Sequence, residues 1–216
     1  MGHPIATTVT LAAASANNIA LSQTLAAAGP LALNGSAVTG GVAKLDAPRR
    51  IILTSGGNDT GITFTVTGTA RVEQGSVAQT ETITGANATA ATTTQDFATV
   101  TRIVSSGATA STVTAGTSGT GSGPWVPWDR QMVDFQVSVA GFVLSGSPTW
   151  GVEYTYDDVF GTWLPAGVPF PRAIALSTVT AQSGTKDGQI TWTVAASRLT
   201  LTAVGSVQLI QTQQGN

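Results

Sequence analysis

The sequence contains no cysteine and a single histidine, His3. Without cysteine there is no disulfide framework and no cysteine-ligated metal site. With one histidine, a Ser-His-Asp triad, a Cys-His pair or a histidine-rich metal site cannot be assembled within one chain. These absences remove most hydrolase mechanisms, and we expect a protein that is not an enzyme and needs no cofactor.

Charge is also scarce, because only 9% of the 216 residues are charged, against about a quarter in typical soluble domains. Thirty-six residues are threonine, so hydroxyl groups supply much of the polar surface. Such a surface does little to keep identical molecules apart, and few ions must be desolvated when another protein covers it. The composition favours assembly into a larger structure; the alternative is an ordinary threonine-rich soluble domain.

The net charge of -2 and the pI near 5.1 argue against a nucleic-acid or anionic-membrane partner, since both require a dense basic surface. The only basic pair, Arg49-Arg50, is expected to guard a sheet edge or to pair with carboxylates. The first residues lack a basic region followed by a continuous apolar run, which a secretory signal would require. We therefore expect synthesis in the cytoplasm.

Short alternating segments dominate the chain. In Ile62 to Thr67, apolar side chains alternate with threonine, which is typical of a half-buried strand. The preceding cluster Gly56 to Asp59 has the composition of a turn. Similar segments recur at short intervals, among them Thr7 to Leu11, Trp150 to Thr155 and Val207 to Thr212. This pattern predicts an all-β protein of antiparallel sandwich or barrel-like domains, with almost no helix.

Glycine and serine are concentrated at Gly116 to Gly123, GTSGTGSG, after which the composition changes. All five tryptophans and both tyrosines follow this segment. Such a composition is typical of a flexible linker. We therefore predict two consecutive β domains, residues 1–118 and 125–216, joined by a linker at residues 119–124.

Three carboxylates near aromatic residues, Glu153, Asp157 and Asp158, are candidates for acid-base chemistry on a sugar. The favoured interpretation is structural, in which they cap a turn or pair with arginine. The segments GGNDTG and YDDVFG offer oxygen ligands for calcium, but neither has the spacing of an EF-hand loop, and both are interpreted as turns.

The tryptophans divide into two groups. Trp150 and Trp192 alternate with strand neighbours, which is typical of core residues. Trp125, Trp128 and Trp163 lie in proline-rich segments, as does Phe170. These four aromatic residues are the candidate interaction surface, and two roles stay open for the tryptophans among them: a seal between domains or subunits, or a platform for a ligand.

Several phrases resemble structural proteins encoded in the virion modules of tailed bacteriophages. They are RRIILTSGGNDTGITFTVTGT, VAQTETITG, QDFATVTRIVSSG, TAGTSGTGSGPWVPW, EYTYDDVF and ASRLTLTAVGSVQLIQTQQ. The resemblance covers most of the chain and carries no catalytic motif.

The resemblance implies a two-part β protein that assembles onto a phage particle. The first expectation is a capsid decoration or cement protein that binds the major capsid protein or other virion proteins, with a homo-oligomer, preferably a trimer, as its state. The second is a tail-associated protein such as an adaptor, a collar component or the base of a fibre. A carbohydrate-binding or adhesion module is the third.

Overall fold

The computed structural model describes residues 3–72, 75–160 and 171–214, and these residues form strands, turns and loops without a helix. The prediction of an all-β fold is confirmed. In chain order the strands are β1 (Ile5–Leu11), β2 (Ser15–Gln23), β3 (Gly29–Pro30), β4 (Val38–Thr39), β5 (Val42–Ser55), β6 (Thr63–Val72), β7 (Gly75–Thr84), β8 (Ala90–Thr92), β9 (Phe97–Ser105), β10 (Val113–Ser122), β11 (Val126–Pro127), β12 (Gln136–Gly146), β13 (Thr149–Thr155), β14 (Ile174–Ala175), β15 (Lys186–Ile190), β16 (Ala196–Thr202) and β17 (Gly205–Gln214).

The chain divides into two compact units. The central unit comprises Ala13–Ala70 and Ser76–Gly119, and the C-terminal unit comprises Met1–Ala12, Arg71–Gly75 and Thr120–Asn216. The chain passes from the central unit to the C-terminal unit after residue 119, and the units are not consecutive in the chain. Strand β1 belongs to the C-terminal unit because it pairs with β17, and a local sequence pattern does not specify the partner of a strand.

Strand β10, Val113–Ser122, contains residues 119–122 of the predicted linker 119–124. Gly116 of this strand allows close packing, because a Cβ atom there would lie 1.9 Å from the carbonyl oxygen of Ser15 in β2. Most of β10 is buried. The same small residues that make a linker flexible also let two backbones approach closely, so composition alone did not distinguish these structures.

The central unit is built around β5, which lies between β9 and β10, and the sheet continues from β9 through β6 to β7. The predicted alternation of β6 is confirmed: Phe64 and Val66 are buried, whereas the hydroxyl of Thr65 lies 2.9 Å from that of Thr82 in β7. The main apolar core cluster of this unit contains Ile19, Ala20, Leu31, Ala43, Ile51, Leu53, Phe64, Val66, Phe97, Val100, Ile103, Val113 and Ala115.

The C-terminal unit contains a four-stranded sheet in the order β1-β17-β12-β15, and a second group in which β16 pairs with β11, with β13 and with the end of β10, while β14 pairs with β13. Trp150 of β13 is 1% exposed and packs where Gly141 of β12 leaves room, since a Cβ atom there would lie 2.0 Å from the indole ring. The sheets therefore face each other across Trp150, as in a sandwich.

Candidate interaction surface

No group of three or more histidine, cysteine, aspartate or glutamate side chains able to hold a metal ion occurs within residues 3–72, 75–160 and 171–214. In the same residues no helix is long and apolar enough to cross a membrane.

Two of the candidate carboxylates pair with arginine. Arg198 places Nη2 2.8 Å and Nε 2.9 Å from Oε2 of Glu153. Arg172 donates from its backbone N–H to Oδ2 of Asp157 at 2.7 Å, and its guanidinium also binds that carboxylate. The hydrogen bonds from the Arg172 side chain hold the pKa of Asp157 below its usual value. The structural interpretation of Glu153 and Asp157 is thus confirmed.

The remaining polar candidates form turns. Oδ1 of Asp158 accepts a hydrogen bond from the backbone N–H of Phe160 at 3.0 Å. In GGNDTG, Oδ1 of Asn58 accepts from the backbone N–H and the hydroxyl of Thr60, while Oδ1 of Asp59 accepts from the backbone N–H of Ala110 at 2.7 Å. These bonds are those of side-chain-stabilised turns.

Trp125 and Trp128 are buried, with only 2% and 9% of their surfaces exposed, so neither ring is open to a ligand. Val126–Pro127, between the two tryptophans, forms β11 and pairs with Ser197 and Ala196 of β16. This pairing holds both tryptophan rings against the C-terminal unit. Nε1 of Trp128 donates to Oγ of Ser197 at 2.7 Å. The guanidinium carbon of Arg198 lies 4.4 Å from the centre of the Trp125 ring, a cation–π contact. The other two predicted interaction residues, Trp163 and Phe170, lie outside the described residues.

Trp192 was predicted to be a core residue, but 37% of its surface is exposed. The reason is local: β15 ends at Ile190, two residues before the tryptophan, so the expected strand alternation does not reach it. Trp150, by contrast, is buried as predicted.

Two exposed rings, those of Tyr156 and Trp192, lie against Tyr154 near the end of β13. The ring of Tyr154 meets that of Tyr156 at a centroid distance of 5.6 Å and an angle of 82°, and that of Trp192 at 5.5 Å and 72°. Ile174 of β14 lies opposite Tyr154 in the register and is exposed. We call Tyr154, Tyr156, Trp192 and Ile174 the aromatic surface. Burial, followed by the neighbouring Tyr156, raises the pKa of Tyr154.

A second exposed apolar group lies at the other end of β13. Leu144, 56% exposed, sits where the register of β12 and β17 shifts between Val143 and Ser145, and Val204, 53% exposed, occupies the turn between β16 and β17. The turns are neighbours, because Gly146 pairs with Gly205. We call Leu144 and Val204 the turn surface.

The sequence contained only part of this information. None of the residues of the two surfaces was predicted to lie at an exposed site. Turn-forming residues follow Leu144 and Val204 in the sequence: Gly146 to Pro148 after the first and Gly205 after the second. They were the sequence signal that these two residues lie near strand ends.

A scan of protein-family models, a search of curated proteins and a search of solved structures each gave no match to this chain.

Proposed function

We propose that this chain is a non-enzymatic structural protein of a tailed-bacteriophage virion, and that it decorates the head as a homo-oligomer, preferably a trimer, bound to the major capsid protein. The phage assignment rests on the sequence resemblance. The observation that carries the structural role is the presence of two exposed apolar surfaces at opposite ends of β13, since exposed apolar patches mark sites of protein association.

The spacing of these surfaces suits a bridging protein. In the register of β13 and β16, Thr149 pairs with Thr202 beside the turn surface, and Thr155 pairs with Ala196 beside the aromatic surface. A seven-residue strand spans about 20 Å. Two unlike surfaces make head-to-tail contacts with two different neighbours. Many such modest contacts stabilise a lattice through avidity.

Little charge has to be desolvated when the aromatic surface is covered. Its members are uncharged, and two neighbouring carboxylates are paired with arginine: Glu153 with Arg198 and Asp157 with Arg172. Burial of an uncompensated charge would cost several kcal/mol, by order of magnitude, whereas apolar contact is favourable at about 25 cal/mol per Å². This arrangement supports docking on another protein surface.

The test uses particles of the encoding phage from which this protein is missing. We expect wild-type protein to bind such particles and to raise the temperature at which they release DNA. Two double variants, Tyr156→Ser/Trp192→Ser and Leu144→Ser/Val204→Ser, should each weaken binding about tenfold or more, as loss of interface anchor residues does. The matched control is Leu21→Ser, at an exposed leucine of the central unit.

Two results would contradict the proposal. One is equal binding by the wild type and both double variants. The other is unchanged heat resistance of particles that lack the protein. The copy number per virion, measured by quantitative mass spectrometry against the major capsid protein, separates the two virion locations: hundreds of copies mean decoration of the head, and about a dozen mean a tail-associated protein.

The aromatic surface also favours a second candidate function, carbohydrate binding, because exposed rings stack on sugars. In this case the isolated chain would bind an oligosaccharide on a glycan array, and Trp192→Ala would abolish that binding while Val133→Ala, at another exposed apolar side chain, would not. The decoration role predicts that neither the wild-type chain nor these variants bind a sugar.

A further inference from the structure

Strand β1 has no structural partner among its neighbours in sequence. It pairs with β17, whereas β2 pairs with β10 in the central unit. The connection between β1 and β2 consists of Ala12, Ala13 and Ala14, which are exposed and lie outside the strands. The chain therefore leaves the C-terminal unit directly after β1 without forming a hairpin with the next strand.

The contacts of β1 are extensive for so short a strand. Seven consecutive residue pairs, from Ile5 opposite Gln211 to Leu11 opposite Gly205, join it to β17 in one unbroken register. Val9 and Leu11 are buried. The hydroxyl of Thr10 lies 2.9 Å from that of Ser206. Without β1, the C-terminal unit would expose the edge of β17 and part of its core.

The segment around β1 carries no charge. Residues 4–14 contain no charged side chain, so β1 is held by backbone pairing, apolar contact and hydrogen bonds between uncharged side chains. Side chains of β1 also pack closely against Gly123. A Cβ atom at that position would lie 3.1 Å from the Thr7 methyl and 3.2 Å from a Val9 methyl. The same seven residues of a second copy would make the same contacts.

We propose that copies of this chain exchange β1, so that β1 of one molecule pairs with β17 of another. Exchange keeps every contact of β1 and changes only the path of the three-residue connection. A short connection of this kind is the feature that allows strand exchange. Where copies are held close together, the high effective concentration favours the exchanged form. The inference does not depend on the virion assignment, because the partner is a second copy.

The natural lack of cysteine makes a direct test available. Thr8 and Gln208 face each other in the β1–β17 register, and Nε2 of Gln208 lies 3.4 Å from Oγ1 of Thr8. Two single variants, Thr8→Cys and Gln208→Cys, are mixed, refolded together and oxidised. We expect a disulfide-linked dimer whose cross-linked peptides contain positions 8 and 208, and whose yield rises with protein concentration.

The matched control uses Ser138→Cys and Thr212→Cys, single variants at facing positions of β12 and β17. Exchange of β1 leaves this pair within one molecule, so the mixture should give at least about tenfold less cross-linked dimer, the scale on which local concentration acts. If the Thr8→Cys and Gln208→Cys mixture gives no more 8–208 cross-link than the control gives 138–212 cross-link, β1 stays in its own molecule and the proposal is wrong. That result would leave the virion proposal unaffected, because docking requires no exchange.

Discussion

The guanidinium group of Arg49 donates hydrogen bonds to the carbonyl oxygen of Ser118, and its Nε lies 3.1 Å from that oxygen. On its other side, Nη1 binds both carboxylate oxygens of Asp46 at 3.0 and 3.1 Å. Arg49 is 1% exposed. Charge-assisted bonds of this kind are strong, and here they connect β5 to β10, the segment whose composition predicted a linker. The expectation that the Arg49-Arg50 pair binds carboxylates is confirmed, since Arg50 lies near Asp96.

Removal of the Arg49 side chain should therefore destabilise the central unit. We expect Arg49→Ala to lower the free energy of unfolding by about 1–3 kcal/mol, because the change removes the hydrogen bonds that the buried guanidinium donates to Ser118, while the ion pair with Asp46, whose side chain is 34% exposed, contributes little. Urea unfolding measures this effect. The control Arg102→Ala, at an exposed arginine of β9, should stay within about 0.5 kcal/mol of the wild type. Equal midpoints for the two variants would show that the Arg49 contact does not stabilise the protein.

Two glycines of the GTSGTGSG segment distinguish a packed strand from a flexible linker. A Cβ atom on Gly116 would meet the backbone of Ser15 at 1.9 Å, whereas one on Gly119 would meet nothing within 4 Å. Gly116→Ala should therefore cost about 1–3 kcal/mol or more, as overpacking does, and Gly119→Ala should cost little. Thermal unfolding of both variants is the measurement. A linker would tolerate both changes, so two unchanged melting temperatures would favour the original linker prediction.

The fold class could be predicted because strand alternation is a local property. Phe64 and Val66 are buried and Thr65 is not fully buried, and this follows from the period of the pleated strand alone. The partner of a strand is not local. Nothing in the residues of β1 indicates that Val9 will lie opposite Val207, nearly 200 residues later, so the assignment of β1 to the first domain failed.

The candidate surface could be predicted less well, because exposure depends on where strands end. Trp125 and Trp128 lie in a proline-rich segment whose composition predicted contacts outside the core. In the structure this segment forms β11, which pairs with β16. Trp192 lies in an alternating segment that looked buried, yet β15 ends before it. Leu144 is exposed at a shift in the register of two strands, and such a shift is a property of the pair rather than of either sequence.

The turn between β16 and β17 contains a backbone conformation that does not suit its residue. Ala203 has a φ of 72°, in the left-handed region that costs non-glycine residues about 1–2 kcal/mol. We expect Ala203→Gly to raise the free energy of unfolding by about 1 kcal/mol, measured by urea unfolding. The control Ala140→Gly, within β12, should lower it by about 0.5–1 kcal/mol because glycine weakens a strand interior. A loss of stability in both variants would show that relief of this strain is smaller than the added freedom of the unfolded chain.

The ion pair of Asp157 and Arg172 should make stability depend on pH in the acid range. Because the pKa of Asp157 is lowered in the folded protein, the unfolded chain binds a proton first as the pH falls. The stabilising contribution is therefore complete above the ordinary aspartate pKa of about 3.9, and it is lost as the pH falls through the lower, folded value.

Asp157→Asn should be less stable than the wild type at pH 7, and the difference should shrink below pH 4. Asp187→Asn, at an exposed aspartate of β15, is the control. Urea unfolding from pH 7 to pH 2 measures both, and a constant difference for Asp157→Asn over that range would show that its effect is packing rather than charge.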